Sequence, residues 1–174
     1  MERKAKVDFS KGPVWKSIIA QGIPLMIAQL VQLLYNVVDR IYIGHLEGVG
    51  DLALTGLGIT FPVIILIAAF TNLLGTGGNA LFSIARGKGD TDEAEHIIGT
   101  VFTLLLSTSL ILFVFCYTLR RPILFLFGAS EQSFFYANQY LEIYLFGTAF
   151  SMMTTGLNSY INAQGFPRVG MMTT

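Results

Sequence analysis

Charged side chains are scarce in this sequence. Asp, Glu, Lys and Arg make up 13% of the 174 residues, about half the usual share for a soluble domain. Eleven basic and eleven acidic residues give a net charge of zero, so nothing predicts a nucleic-acid partner. The single cysteine, Cys116, excludes an internal disulfide and a thiolate metal cluster. We expect it to be a small core residue.

Groups that carry out chemistry are also few. The sequence has only two histidines, and His45 and His96 lie beside loops without the spacing of metal ligands. It contains no arrangement typical of a Ser–His–Asp or Cys–His nucleophile, of paired catalytic carboxylates or of a cofactor motif. We therefore predict that the chain is not an enzyme and has no cofactor.

Long hydrophobic runs dominate what remains. Hydrophobic residues form 53% of the chain, and most of them lie in stretches long enough to cross a hydrocarbon core of about 30 Å. The sequence predicts an all-α, polytopic transmembrane helical bundle with the lipid bilayer as its surroundings. The predicted spans are 17–44, 52–85, 94–119 and 133–161, with a fifth helix starting near 168. Residues 1–16 form a basic tail, and 123–127 are too short to cross, so we expect an interfacial segment there.

The distribution of Lys and Arg predicts the orientation. If the tail is cytoplasmic, eight basic residues lie inside and three outside, which the positive-inside rule favours. The inside set is Arg3, Lys4, Lys6, Lys11, Lys16, Arg86, Lys88 and Arg168, and the outside set is Arg40, Arg120 and Arg121. The predicted location is the cell membrane, with a cytoplasmic N-terminus.

A polar stripe runs along the first span. On a helix, its members fall within an arc of about 120°: Gln29, Gln32, Tyr35, Asn36 and Asp39. A carboxylate at membrane depth is costly when charged, so Asp39 is suited to bind and release a proton or a sodium ion. The alternative is an interfacial residue neutralised by Arg40, although adjacent helical residues point about 100° apart.

The fourth span carries a second stripe, within an arc of about 100°. It comprises Tyr136, Tyr140, Tyr144, Gly147, Ser151, Thr154, Thr155, Asn158 and Asn162. Such a face can line a cavity for amphipathic, aromatic solutes. The alternative is a belt of interfacial tyrosines with hydroxyls that serve helix packing. Glu142 points away from the stripe, either as a second ion site or as a residue that extends to the interface.

Glycine and proline interrupt the first two spans. Pro24 predicts a bend in the first helix. The second span contains Gly56, Gly58, Gly75, Gly77 and Gly78, which predicts either close helix packing or local unwinding. Asp90 or Thr91 is the predicted cap of the third helix.

Three segments together resemble the multidrug and toxic compound extrusion (MATE) family of secondary transporters, most of all its bacterial branch. The first is Pro24 followed by the run from Tyr35 to His45. The second is the run from Gly75 to Ala80 with Ala85 to Asp90, and the third is Gly156-Leu157-Asn158 with the run from Ala163 to Arg168. Their order and spacing match the family's first, second and fourth helices.

The resemblance implies an exporter of cationic and aromatic compounds that is driven by proton or sodium influx. Members of the family have two six-helix lobes around a central cavity. The resemblance identifies Asp39 with the cation-coupling acid, and Gln32, Tyr35 and Asn36 with neighbouring cavity positions. From the second stripe we add Tyr144, Ser151 and Asn158 as cavity-lining residues. The family's partner asparagine and acid lie on the fifth helix. Residues 17–174 are thus expected to be part of an N-terminal lobe, and the second lobe of the same transporter is an expected partner.

Two rival interpretations remain open. One is a lipid-linked oligosaccharide flippase of the same superfamily, which would be expected to place more cationic residues in its cavity. The other is a non-transporting helical subunit of a membrane complex, which would co-purify with a fixed partner.

Overall fold

The chain folds into helices joined by short turns. The computed structural model describes residues 14–166, 169–170 and 172, so most of the predicted basic tail and position 168 lie outside the described residues. The helices are α1 (Val14–Gly44), α2 (Gly50–Lys88), α3 (Thr91–Thr118), α4 (Arg120–Leu126) and α5 (Glu131–Ala163). Residues 169, 170 and 172 are also helical, and no strand occurs among the residues described.

The hydrophobic runs account for the four long helices. Three of them are long and apolar enough to cross a membrane, over Gly22–Gly44, Gly50–Lys88 and Thr91–Thr118. Helix α5 has 33 residues and a length of about 50 Å at 1.5 Å per residue. The polar stripe on α5 lowers its overall hydropathy, and it is not among these three apolar spans.

The segment after α3 is a helix in its own right. The predicted segment is 123–127, but α4 begins at Arg120, two residues after α3 ends at Thr118. Pro122 is the third residue of α4. Proline is tolerated there because the first-turn N–H groups have no partner within the helix.

Two side-chain caps fix where helices begin. The Asp90 carboxylate accepts a hydrogen bond from the Glu93 backbone N–H at 3.0 Å, which confirms Asp90 as the cap of α3. Ser130 caps α5 in a reciprocal pair with Ser133. Gly89, with φ of 80°, ends α2 in the left-handed conformation that glycine adopts without strain.

Helices α2, α3 and α5 form the core. Its fully buried side chains include Ile67 on α2, Leu105 on α3, and Leu141 and Leu145 on α5. Helix α1 contacts mainly α2, and every side chain from Gln29 to Val38 is exposed. The bundle therefore consists of a close-packed trio with α1 set against one edge.

Glycines allow α2 and α5 to approach closely. A Cβ on Gly75 would lie 2.8 Å from the Gly156 Cα, and a Cβ on Gly56 would lie 2.8 Å from the Ala137 backbone nitrogen. Helix α2 continues without a break from Gly50 to Lys88. Of the two predicted uses of these glycines, close packing is the one the structure shows at these positions.

Candidate functional site

Two cavities lie between α1 and the α2–α5 face of the bundle. The larger one has a volume of about 670 Å³, and the smaller one of about 300 Å³. Gln32 from α1 and Ser151 from α5 line both. The polar stripes of α1 and α5, predicted separately, thus face each other across a shared space.

The smaller cavity holds the predicted coupling carboxylate. Asp39 is partly buried there, and Tyr140 and Tyr144 of α5 line the same cavity. The two tyrosine rings stack, with centroids 6.5 Å apart and planes 18° from parallel. An anionic group beside aromatic faces suits a cation, because both the charge and the ring quadrupoles attract it.

Arg40 does not neutralise this carboxylate by direct pairing. Its guanidinium carbon lies over the Phe61 ring, 5.7 Å from the centroid. Asp39 and Arg40 form no ion pair in the described part of the chain. Both residues line the smaller cavity, so a cation that enters it meets one carboxylate and one arginine held against an aromatic ring.

The remaining α1 residues divide between the cavities and the surface. The side-chain amide of Asn36 donates to the Gln32 carbonyl oxygen at 2.8 Å, which holds Asn36 against its own helix in the smaller cavity. Gln29 lines the larger cavity. Tyr35 is 67% exposed and lies outside the residues that line either cavity.

Helix α5 supplies most of the larger cavity's wall. Asn158 lies there, and its Nδ2 donates to the Gly170 carbonyl oxygen at 2.8 Å. Its Oδ1 accepts a hydrogen bond from Asn162 Nδ2 at 2.9 Å. Asn158 therefore also connects α5 to the helical segment that follows. Thr154 donates to the Phe150 carbonyl oxygen at 2.8 Å within α5.

Helix α2 forms a third wall that the sequence analysis missed. It contributes Asn72 and Thr76 to the larger cavity, and Leu57, Phe61 and Ile64 to the smaller one. Asn72 and Thr76 are four residues apart and share a helix face. That spacing was the one available indication of a polar lining on α2.

Glu142 faces away from both cavities, towards α3 and α4. Its carboxylate lies 3.5 Å from the Arg120 guanidinium and accepts a hydrogen bond from the Tyr117 hydroxyl at 3.3 Å. Arg120 also stacks over the Tyr117 ring at 4.5 Å. Within the described residues, no three His, Cys, Asp or Glu side chains come together as a metal cluster.

Comparison with known proteins identifies the family. A family model described as MatE matches residues 24–174. Multidrug export protein MepA of Staphylococcus haemolyticus (strain JCSC1435) is 24% identical over 164 residues, and MepA of Staphylococcus aureus (strain NCTC 8325 / PS 47) is 25% identical over 166. These alignments cover 94% of this chain and 36% of each relative. The chain thus spans about a third of the length of these relatives.

Solved structures have the same arrangement of helices. One, described only as "protein A", has a TM-score of 0.83 and 34% identity over 91% of this chain and 35% of its own. A crystal structure of MATE in complex with MaD3S has a TM-score of 0.83 and 25% identity. The match covers 90% of this chain and 35% of the chain in that structure. Because the family model matches nearly the whole sequence, this chain belongs to the MatE family.

Proposed function

We propose that this chain is the N-terminal part of a cation-coupled exporter of cationic and aromatic compounds. One observation carries the proposal: the polar faces of α1 and α5 line two adjoining cavities, with Asp39 in one of them. The similarity to proteins described as multidrug export proteins supports the same reading. The proposed setting is the bacterial plasma membrane, with a cytoplasmic N-terminus.

Asp39 is the proposed switch. Its carboxylate binds either a proton or sodium ion, or the positive charge of a drug, and the two occupancies alternate. A bound cation reduces the cost of holding the carboxylate away from water. Tyr140 and Tyr144 offer stacked aromatic faces to the organic part of the drug.

Gln32 and Ser151 give a solute a continuous polar surface between the cavities, since both residues line both spaces. The larger cavity, at about 670 Å³, falls within the range of roughly 300–1,000 Å³ that suits drug-sized molecules. The second lobe of the same transporter is the proposed partner that completes the pathway.

The test is Asp39→Asn in the full-length transporter, reconstituted in vesicles. The amide keeps the shape of the side chain but does not become an anion, so we expect gradient-driven efflux of an organic cation such as ethidium to fall to background. Proton and sodium gradients are applied separately, which identifies the coupling ion. Asp51→Asn is the matched control, because Asp51 is an exposed acid outside both cavities and its loss is expected to leave efflux intact.

Efflux by Asp39→Asn at the wild-type rate under every gradient would contradict the proposal. The residues that line the two cavities give less support to the flippase alternative. Arg40 is the one Lys or Arg among the described residues that line the cavities, and it lies against Phe61. Anionic headgroups are usually bound by arginine and lysine.

A further inference from the structure

Arg121 stands at one end of the bundle, in a setting unlike that of its neighbour Arg120. The third apolar span ends at Thr118, and α5 begins at Glu131, so α4 lies between the ends of two membrane-length helices. Arg121 follows the span end by three residues. That position corresponds to headgroup depth, where arginine side chains meet lipid phosphates.

The Arg121 guanidinium is held by two aromatic rings. Its central carbon lies 5.9 Å from the ring centroids of both Phe125 on α4 and Phe134 on α5. The two rings stack on each other, with centroids 5.2 Å apart and planes 17° from parallel. Cation–π contacts of this kind orient a guanidinium and leave its N–H groups available to an anion.

Charge compensation differs between the two arginines. Arg120 is paired with Glu142 at 3.5 Å, whereas Arg121 has no ion pair in the described part of the chain. Glu131, in the first turn of α5, is the acid closest to it in sequence among the described residues and does not pair with it either. Arg121 is exposed and carries an uncompensated positive charge at the boundary of the bundle.

Large apolar side chains are exposed at the same end. Leu126 is 80% exposed, Phe127 44% and Phe135 58%. An uncompensated cation beside exposed hydrocarbon matches a ligand that has an anionic head and acyl chains. We propose that Arg121, positioned by Phe125 and Phe134, binds the phosphate of an anionic glycerophospholipid whose chains lie along these apolar residues.

The groups that we propose to bind the lipid are side chains, so substitutions can remove them without altering the backbone of α4. The full-length protein in detergent is analysed by native mass spectrometry with added phosphatidylglycerol or phosphatidylcholine of the same acyl chains. We expect wild-type protein to retain phosphatidylglycerol preferentially. Arg121→Gln is expected to reduce that retention by about fivefold, the effect of one basic residue at an anionic surface.

Two further variants separate charge from fold. Arg121→Lys keeps the positive charge and is expected to retain most of the preference, and Gln132→Ala, an exposed uncharged position at the start of α5, is expected to behave as wild type. Equal binding of the two lipids by wild-type protein would overturn the proposal, and that comparison needs no variant to fold. Retention of phosphatidylglycerol by Arg121→Gln at the wild-type level would do the same. Competition by glycerol phosphate at the same concentration as the lipid would assign the site to a soluble anion instead.

Discussion

The contact between α2 and α5 at Gly75 allows a stability prediction with an internal control. Replacing Gly75 with alanine places a Cβ 2.8 Å from both the Cα and the carbonyl oxygen of Gly156. Carbon atoms in ordinary contact lie about 3.5–4.0 Å apart, so the helices would have to separate by roughly 0.7–1.2 Å at this point. Both obstructing atoms belong to backbone, which cannot rotate out of the way as a side chain can.

The expected cost of Gly75→Ala is about 1–3 kcal/mol in the free energy of unfolding, the usual range for overpacking a close contact. Gly77→Ala is the control, because nothing lies within 4 Å of a Cβ at that position. Both substitutions replace glycine inside α2 and gain the same helix propensity, up to about 1 kcal/mol. The difference between the two variants therefore isolates the contact with Gly156.

The measurement is unfolding of the full-length protein in detergent micelles, followed by circular dichroism against temperature or denaturant. Gly75→Ala is expected to unfold more readily than Gly77→Ala, which is expected to match or exceed the wild type. If the two variants had the same stability, the close α2–α5 approach at Gly75 would be refuted. Gly156→Ala would probe a different contact, because its Cβ meets the Leu105 side chain instead of backbone.

Two further predictions concern the core and the caps. Leu105→Ala removes a fully buried side chain and should lower the free energy of unfolding by about 2–5 kcal/mol. Leu104→Ala, at a 44% exposed site, should lower it much less in the same assay. Equal losses of stability in the two variants would contradict the assignment of the core. Asp90→Ala removes the cap of α3 and should cost about 1 kcal/mol, and Asp90→Asn, which keeps an accepting oxygen, should recover most of it. Amide hydrogen exchange in the first turn of α3 would show the loss, and unchanged exchange there would count against the cap.

Helical periodicity alone predicted which α1 and α5 residues share a face. Gln32 lies near the centre of the α1 arc, whereas Tyr35 lies at its edge, about 60° away by helix geometry. The bundle lies on the other side of the arc, so Gln29 lines a cavity and Tyr35 is exposed. A sequence gives the width of a polar stripe, but the neighbouring helices decide which part of it is covered.

The contribution of α2 could not be predicted in the same way. The helix face of Asn72 and Thr76 continues to Asn79 and Ser83, but only its first two residues line the larger cavity, and this follows from the packing of α2 on α5. The bond from Asn158 to the Gly170 carbonyl oxygen depends on where the chain returns after α5. Such contacts depend on how the helices are placed relative to one another, and the periodicity of a single helix does not predict that placement.

The sparse contact of α1 with the rest of the bundle has a consequence for its rotation. Among the helices described, few side chains interlock with α1, so these helices by themselves do little to fix its angle about its own axis. Turning α1 by one residue, about 100°, would carry Asp39 out of the smaller cavity, and a charged side chain turned towards hydrocarbon is costly. In the proposed function, the Asp39 carboxylate would act as a rotational restraint on α1. Neutralising it by a bound cation would weaken that restraint, so the proposed function predicts that occupancy of Asp39 and the angle of α1 are linked.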